Sequence, residues 1–212
     1  ETYYQDQGRD WERYAMIKAR PIAGDIDAGY AFLGRIQPFI YRRYLDYNAI
    51  GSLRELKQRI HDDVVARKVM DDVKLGPGGI RELEFIVQSF QLVRGGLDQK
   101  LRNASLRPTL AYLGQCELLP IETAQKLDEC YVFLRELENA IQMYDDQQTH
   151  RLPRGEAARE ALCIGLDIQT WEELLARYES VTRYVNQEFQ RVFAEPEDAA
   201  AEGACAGAVN LA

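Results

Sequence analysis

Apolar residues recur every three or four positions along almost the whole chain, and this helical period limits the possible folds more than any other feature. The segment from Ile80 to Val93 is the extreme case, because apolar side chains cover most of its circumference. A helix of that kind has to be buried by neighbours on several sides. We therefore expect a mainly α fold of seven or eight helices, with at most one or two short strands.

Proline, glycine and capping residues give the limits of the expected helices. A capping box at Ser52–Glu55 starts one helix, Pro38 is expected to kink another, and Pro120 suits the first position of a long one. The segment from Val73 to Gly79 interrupts the period and is expected to hold one short extended stretch. The expected helices cover residues 10–20, about 27–44, 52–64, 80–93, 108–116 and 120–144, with two more reaching about Phe193.

The amino-acid composition limits the classes of protein to which this chain can belong. The 212 residues are 46% apolar and 28% charged, which suits a globular core. A net charge of −8 argues against a broad nucleic-acid surface, and no apolar run is long enough to cross a bilayer. The four cysteines have no metal-ligand spacing, so we expect reduced thiols in a cytoplasmic protein and no metal site: Cys116, Cys130, Cys163 and Cys205.

The two ends of the chain suggest a piece of a longer protein. The sequence begins at Glu1 without an initiator methionine or a signal peptide. Beyond Phe193 the chain is rich in Ala, Gly and Glu, a composition typical of a linker. We expect residues 194–212 to form a flexible linker or tail.

The loop and helix from Lys74 to Phe85 carry the strongest functional signal. Gly78 and Gly79 precede the buried helix, whose first amides offer a site for an anion, and Lys74 and Arg81 add positive charge. A polar stripe then follows along the helix: Arg81, Glu84, Gln88 and Gln91. Either the stripe faces a cleft that binds a nucleotide or phosphate, or the segment is a glycine-rich turn with a network of salt bridges between helices.

Two other groups of charges have a functional and a structural interpretation. Arg13 and Arg20 are seven residues apart on one expected helix and together could contact a phosphate, although such charges are more often solvated. Glu138 lies in the apolar stripe of the long helix, three residues after Arg135, which favours a buried structural ion pair over catalysis.

Two further patterns are less informative. Asp25-Ile26-Asp27 has the spacing of a magnesium-binding pair, but a helix entry does not project both carboxylates to one side as a strand does. His61 and His150 stand alone in the sequence and are expected to be surface residues.

Four segments together resemble the bacterial bifunctional glutamine synthetase adenylyltransferase/adenylyl-removing family. They are GRDWERYAMIKAR at 8–20, KLGPGGIRELEFIVQ at 74–88, YVFLRELEN at 131–139 and DQQT at 146–149. The resemblance runs in order from about Glu1 to Phe193. PII-uridylylating relatives share the segment Gly-Gly-x-Arg, so that segment alone does not indicate the substrate.

The resemblance implies a protein of two similar halves, each a nucleotidyltransferase domain followed by a helical domain. One half removes AMP from a tyrosine of glutamine synthetase by phosphorolysis and the other attaches it from ATP; the first two segments resemble the removing half. Residues 1–75 then form the C-terminal remnant of a polymerase-β-like nucleotidyltransferase domain with connecting helices. Residues 76–193 form a helical bundle of the PII-uridylyltransferase-like type.

The family's metal-binding carboxylates match no position in this chain. We therefore expect no catalytic residue here, and an inactive piece of an enzyme that uses magnesium and ATP or ADP when whole. Lys74, Gly78, Gly79, Arg81 and Glu84 would then line the adenylyl-removing site. The alternative is a helical module that docks glutamine synthetase or the PII signal protein.

Overall fold

The computed structural model describes residues 3–4, 7–41 and 71–194. The helix expected from Ser52 and nearly all of the expected tail lie outside the described residues. The described residues belong to two compact units, one comprising 3–4 and 7–41 with 86–124 and the other 71–85 with 125–194. The domain limits expected from the sequence stay a prediction.

Helices dominate the described part of the chain, which confirms the mainly α fold. Seven α-helices are present there: α1 Asp10–Met16, α2 Ile26–Ile40, α3 Ile80–Arg94, α4 Leu106–Gln115, α5 Ile121–Met143, α6 Glu156–Gly165 and α7 Trp171–Val192. Two 3₁₀ turns, Gln99–Leu101 and Tyr144–Asp146, lie between them. The extended stretch expected near Val73 is reduced to an isolated β-bridge between Asp72 and Arg151.

The first unit contains α1, α2 and α4. The expected extension of α1 to Arg20 is wrong, because the helix ends at Met16 and a turn follows, in which the amide of Ala19 donates to the carbonyl of Met16 at 3.1 Å. The side chain of Asp25 caps α2 by accepting a hydrogen bond from the Ala28 amide at 2.9 Å. A buried cluster of this unit is formed by Ile17, Ile36, Ile40 and Tyr41.

The second unit contains most of α5 together with α6 and α7. Its core joins Val73 and Ile80 to apolar residues of those three helices, including Leu134, Leu162 and Leu174. The expectation that α3 is surrounded on several sides is confirmed by seven side chains that are almost completely buried: Ile80, Leu83, Phe85, Ile86, Val87, Phe90 and Val93.

The structure also describes the state of three cysteines and the membrane-spanning potential of the helices. Cys130 and Cys163 are buried free thiols, and Cys116 is a half-buried one. Among the described residues, no helix has the length and apolar character needed to cross a membrane.

Candidate functional site

The segment before α3 is a closed loop organised by Asp72. Its side-chain Oδ1 accepts hydrogen bonds from the amides of Lys74 at 3.0 Å and Leu75 at 2.8 Å. Its carbonyl accepts from the amide of Gly76 at 2.8 Å. Asp72 therefore fixes the backbone from which the Lys74 side chain projects.

This loop lies beside the loop that follows α5. Asp72 forms the β-bridge with Arg151, and the amide of Val73 donates to the carbonyl of His150 at 2.8 Å. On the other side of the bridge, Leu152 donates to the carbonyl of Asp71 at 3.1 Å. The pairing brings two segments that are far apart in sequence into register.

Position 78 requires a glycine, both because of its backbone conformation and because α7 packs closely against it. Its φ of +70° lies in the left-handed region, and an added Cβ would stand 1.8 Å from the carbonyl oxygen of Thr182 in α7. The buried carboxylate of Glu82 accepts from the Gly78 amide at 2.8 Å and from Asn186 Nδ2 at 3.0 Å. The loop is therefore pressed against α7 and held there.

The amides at the start of α3 are already engaged, so the expectation that they are free is wrong. The amides of Gly79, Ile80 and Arg81 donate to carbonyls of the preceding loop at 3.0 to 3.1 Å, and Gly78 donates to Glu82. The loop folds back on the helix and takes the place that an anion would occupy. A ligand at this loop would therefore be bound by side chains.

Glu138 is the centre of a cluster of charged side chains. It is 2% exposed, and its Oε2 lies 2.6 Å from Nη1 of Arg135, the partner that the sequence predicts. Its Oε1 lies 3.3 Å from both Lys74 Nζ and His150 Nδ1. The side chains of Lys74 and Arg135 are 38% and 39% exposed, so both reach solvent from a buried anchor.

His150 belongs to this cluster, so the expectation that it is an isolated surface residue is wrong. Its side chain is 26% exposed, and Nδ1 also lies 3.1 Å from Nε2 of Gln142. The β-bridge sets its position, and no local pattern around a single histidine reveals such a pairing. One signal was available, since His150 directly follows the DQQT segment.

The polar stripe of α3 has two different halves. Arg81 and Glu84 are half-buried, and Arg81 Nη2 donates to the carbonyl of Leu75 at 3.4 Å. Gln88 and Gln91 are buried, and Gln91 Nε2 donates to the carbonyls of Leu101 at 2.6 Å and Asn103 at 2.8 Å. The end of α3 near Lys74 is therefore the part of the stripe that a ligand can reach.

Glu84 and the cluster around Glu138 both act electrostatically on the half-buried Tyr131. Burial raises the pKa of Tyr131, the charges of Glu84 and Glu138 raise it further, and Arg135 opposes them. The charges of these three residues therefore act on one phenol.

Arg13 and Arg20 do not share a helical face, because α1 ends before Arg20. Arg13 is buried, and its Nε donates to the carbonyls of Phe39 at 3.1 Å and Ile40 at 3.3 Å. The guanidinium therefore holds the C-terminal end of α2, where a positive charge is favourable. Arg20 is exposed.

Two family models match the chain. The model described as GlnD PII-uridylyltransferase matches residues 53–193, and the model described as Glutamate-ammonia ligase adenylyltransferase matches residues 1–35. The first covers more than half of the chain and includes Lys74, Arg81, Arg135, Glu138 and His150.

Curated relatives match almost the whole chain. The bifunctional glutamine synthetase adenylyltransferase/adenylyl-removing enzyme of Thioalkalivibrio sulfidiphilus is 47% identical over 96% of the chain. The enzymes of the same name from Xanthomonas campestris and Hahella chejuensis are 48% and 45% identical over 92% and 95%. The chain spans about a fifth of the length of these relatives, 21% in each case. The chain therefore belongs to the GlnD PII-uridylyltransferase family, and it is similar over almost its whole length to part of the bifunctional glutamine synthetase adenylyltransferase/adenylyl-removing enzymes.

Proposed function

We propose that this chain is a helical part of an enzyme that controls glutamine synthetase by removing and adding AMP on a tyrosine. The relatives' shared name and their identity of 45–48% over more than nine-tenths of the chain carry this proposal. The first two resembling segments favour the half that removes AMP. The chain by itself contributes structure and one wall of the nucleotide site.

In this proposal the segment from Lys74 to Glu84 supplies that wall. Lys74 and Arg81 provide positive charge at the accessible end of α3, and Glu84 follows Arg81 by three residues on that helix. Gly78 and Gly79 shape the loop so that these side chains have a fixed base. Charged donors held by a rigid backbone suit phosphate recognition, because no reorganisation is needed when the charge arrives.

Magnesium and ATP or ADP belong to the proposed reaction, and the described residues do not fit a metal site. No group of three or more His, Cys, Asp and Glu side chains in the described part of the chain is arranged to hold a metal ion. We assign no step to the metal in this chain.

Substitution of Arg81 in the longer enzyme tests the proposed wall. Arg81→Ala is expected to lower AMP removal by about 10- to 1000-fold, the usual effect of losing one charged transition-state contact. AMP attachment by the other half should be kept. The measurement reads both activities with the thermal midpoint of the same preparation.

The matched control is Lys126→Ala, which removes an exposed lysine whose partner is the neighbouring Glu129. Both activities should survive this change. If Arg81→Ala instead lowers the thermal midpoint strongly and AMP removal falls only with the amount of folded protein, Arg81 is structural and the proposed wall is wrong.

A docking function is the second candidate, and exposed apolar side chains favour it. Met143 and Ile164 are 83% and 75% exposed, at the end of α5 and at the end of α6. Under this hypothesis Met143 and Ile164 contact glutamine synthetase or the PII signal protein. Weaker binding of either protein by a Met143→Ser, Ile164→Ser variant, with catalysis unchanged in Arg81→Ala, would favour docking.

A further inference from the structure

Three basic side chains from three separate segments meet at one buried carboxylate. Lys74 comes from the loop before α3, Arg135 from the middle of α5 and His150 from the loop after α5, and all three lie within 3.3 Å of an oxygen of Glu138. The β-bridge at Asp72 and Arg151 fixes the two loops. The arrangement is therefore built by the tertiary fold and not by one helical repeat.

Most of the hydrogen-bond donors of this cluster are not used by Glu138. A lysine has three N–H donors and an arginine has five, whereas Lys74 and Arg135 each reach Glu138 with a single nitrogen. Both side chains are about two-fifths exposed. The remaining donors can therefore bind a second acceptor from solvent without breaking the contacts to Glu138.

His150 adds a donor to the same cluster. When Gln142 Nε2 donates to Nδ1, the neutral ring carries its proton on Nε2. Within the described part of the chain, Nε2 of His150 has no hydrogen-bond partner. A protonated ring instead donates from Nδ1 to Glu138 and still presents Nε2–H.

The side chains of the cluster that reach solvent are hydrogen-bond donors. Glu138 and Glu84 are balanced by Lys74 and Arg135, and His150 adds positive charge when it is protonated. Asp72 uses Oδ1 to bind backbone amides, and its bridge partner Arg151 is exposed. Lys74, Arg135 and His150 thus present donors to solvent, whereas Glu138 and Asp72 are buried.

We propose that Lys74, Arg135 and His150 form a binding site for a phosphate group, and that Glu138 holds the three side chains in position. A planar guanidinium, an ammonium and an imidazole N–H match the several acceptor oxygens of a tetrahedral dianion. The choice of phosphate as the ligand rests on the proposed function. The site differs from the amides at the start of α3, which are engaged within the protein.

Nuclear magnetic resonance on the 212-residue chain tests the site directly. The imidazole signals of His150 are assigned by their loss in His150→Gln, since His61 is the only other histidine. Inorganic phosphate and AMP are titrated separately, and saturable movement of the His150 signals is expected. Lys74→Gln and Arg135→Gln should each weaken binding by about tenfold, the loss of one charge-assisted contact.

Lys126→Gln is the matched control, because Lys126 is an exposed lysine of α5 paired with Glu129 at 2.9 Å. It should bind as tightly as the unchanged chain. Amide spectra establish that each variant is folded; should Arg135→Gln fail to fold, Arg135→Lys keeps the charge and removes the planar fork. Tighter binding of AMP indicates the phosphate of a nucleotide, and equal binding indicates free phosphate.

Two results would overturn the site: no saturable movement of the His150 signals with either ligand, or movement that both Lys74→Gln and Arg135→Gln leave unchanged. Neither result decides the proposed function, because that function is measured by the two activities of the longer enzyme. Conversely, this chain could bind phosphate while the longer protein does not act on glutamine synthetase. That pair of results would disprove the proposed function and support the phosphate site.

Discussion

At the scale of single residues, Glu138 shows how burial turns a common surface pattern into a fixed structure. An exposed i,i+3 pair such as Lys126–Glu129 contributes little, because water screens both charges. The carboxylate of Glu138 is buried, and its removal from water is offset only by the groups that surround it. Lys74, Arg135 and His150 therefore stabilise the buried charge of Glu138, and Glu138 in turn holds these three side chains in position.

Replacing Glu138 should accordingly destabilise the chain. We expect Glu138→Ala to lower the free energy of unfolding by about 1–3 kcal/mol, a range reduced because the cations it leaves behind are partly exposed to water. Glu129→Ala, the control on the same helix, should cost less than about 0.5 kcal/mol. Urea unfolding of both variants is the measurement, and equal effects would show that Glu138 has no special role.

The sequence predicts part of this cluster and not the rest. Arg135 and Glu138 are three residues apart on a strongly periodic helix, so their contact follows from helical geometry alone. Lys74 and His150 join through a β-bridge between two loops, and no local pattern contains that information. For the same reason His150 looks isolated in the sequence.

At the scale of elements, the helices with strong signals are predicted well and their contacts are not. The apolar run predicts α3 almost to the residue, and Pro120 predicts the start of α5. The glycines before α3 predict a turn, but the partner of that turn is α7, about a hundred residues later. Sequence alone therefore suggests open amides, whereas in the fold the preceding loop accepts hydrogen bonds from them and α7 packs against that loop.

The glycine loop yields a prediction about packing. Gly78→Ala combines a left-handed backbone with a Cβ that would overlap the carbonyl of Thr182, so the loop and α7 have to separate. We expect a loss of about 3 kcal/mol or more in the free energy of unfolding.

Gly165→Ala is the control in the same unit. It lies in the last turn of α6, where an added Cβ meets no atom within 4 Å. Its effect should be neutral or stabilising by up to about 1 kcal/mol. Thermal and urea unfolding decide the question; a Gly78→Ala variant as stable as Gly165→Ala would mean that the loop does not pack as described.

At the scale of the whole molecule, both units bury groups that lose a proton only at high pH. Burial raises the pKa of Tyr41 in the first unit to about 12, against the opposing charge of Arg102. In the second unit burial raises the pKa of Tyr178 to about 12, helped by Asp72 and Asp71, and burial raises that of Cys130 to about 11. The folded chain therefore favours the protonated form of all three groups.

These shifts give stability a defined dependence on pH. In the unfolded chain the thiol ionises near 9.0 and the phenols near 10.0, below their values in the folded chain. Over that interval the unfolded state binds fewer protons, so the free energy of unfolding is complete below about pH 9 and declines towards pH 12. Urea unfolding at successive pH values measures the decline. Tyr178→Phe removes one of the phenols without changing the ring, so its decline should be shallower, and a wild-type chain equally stable at pH 8 and pH 11 would contradict the burial of these groups.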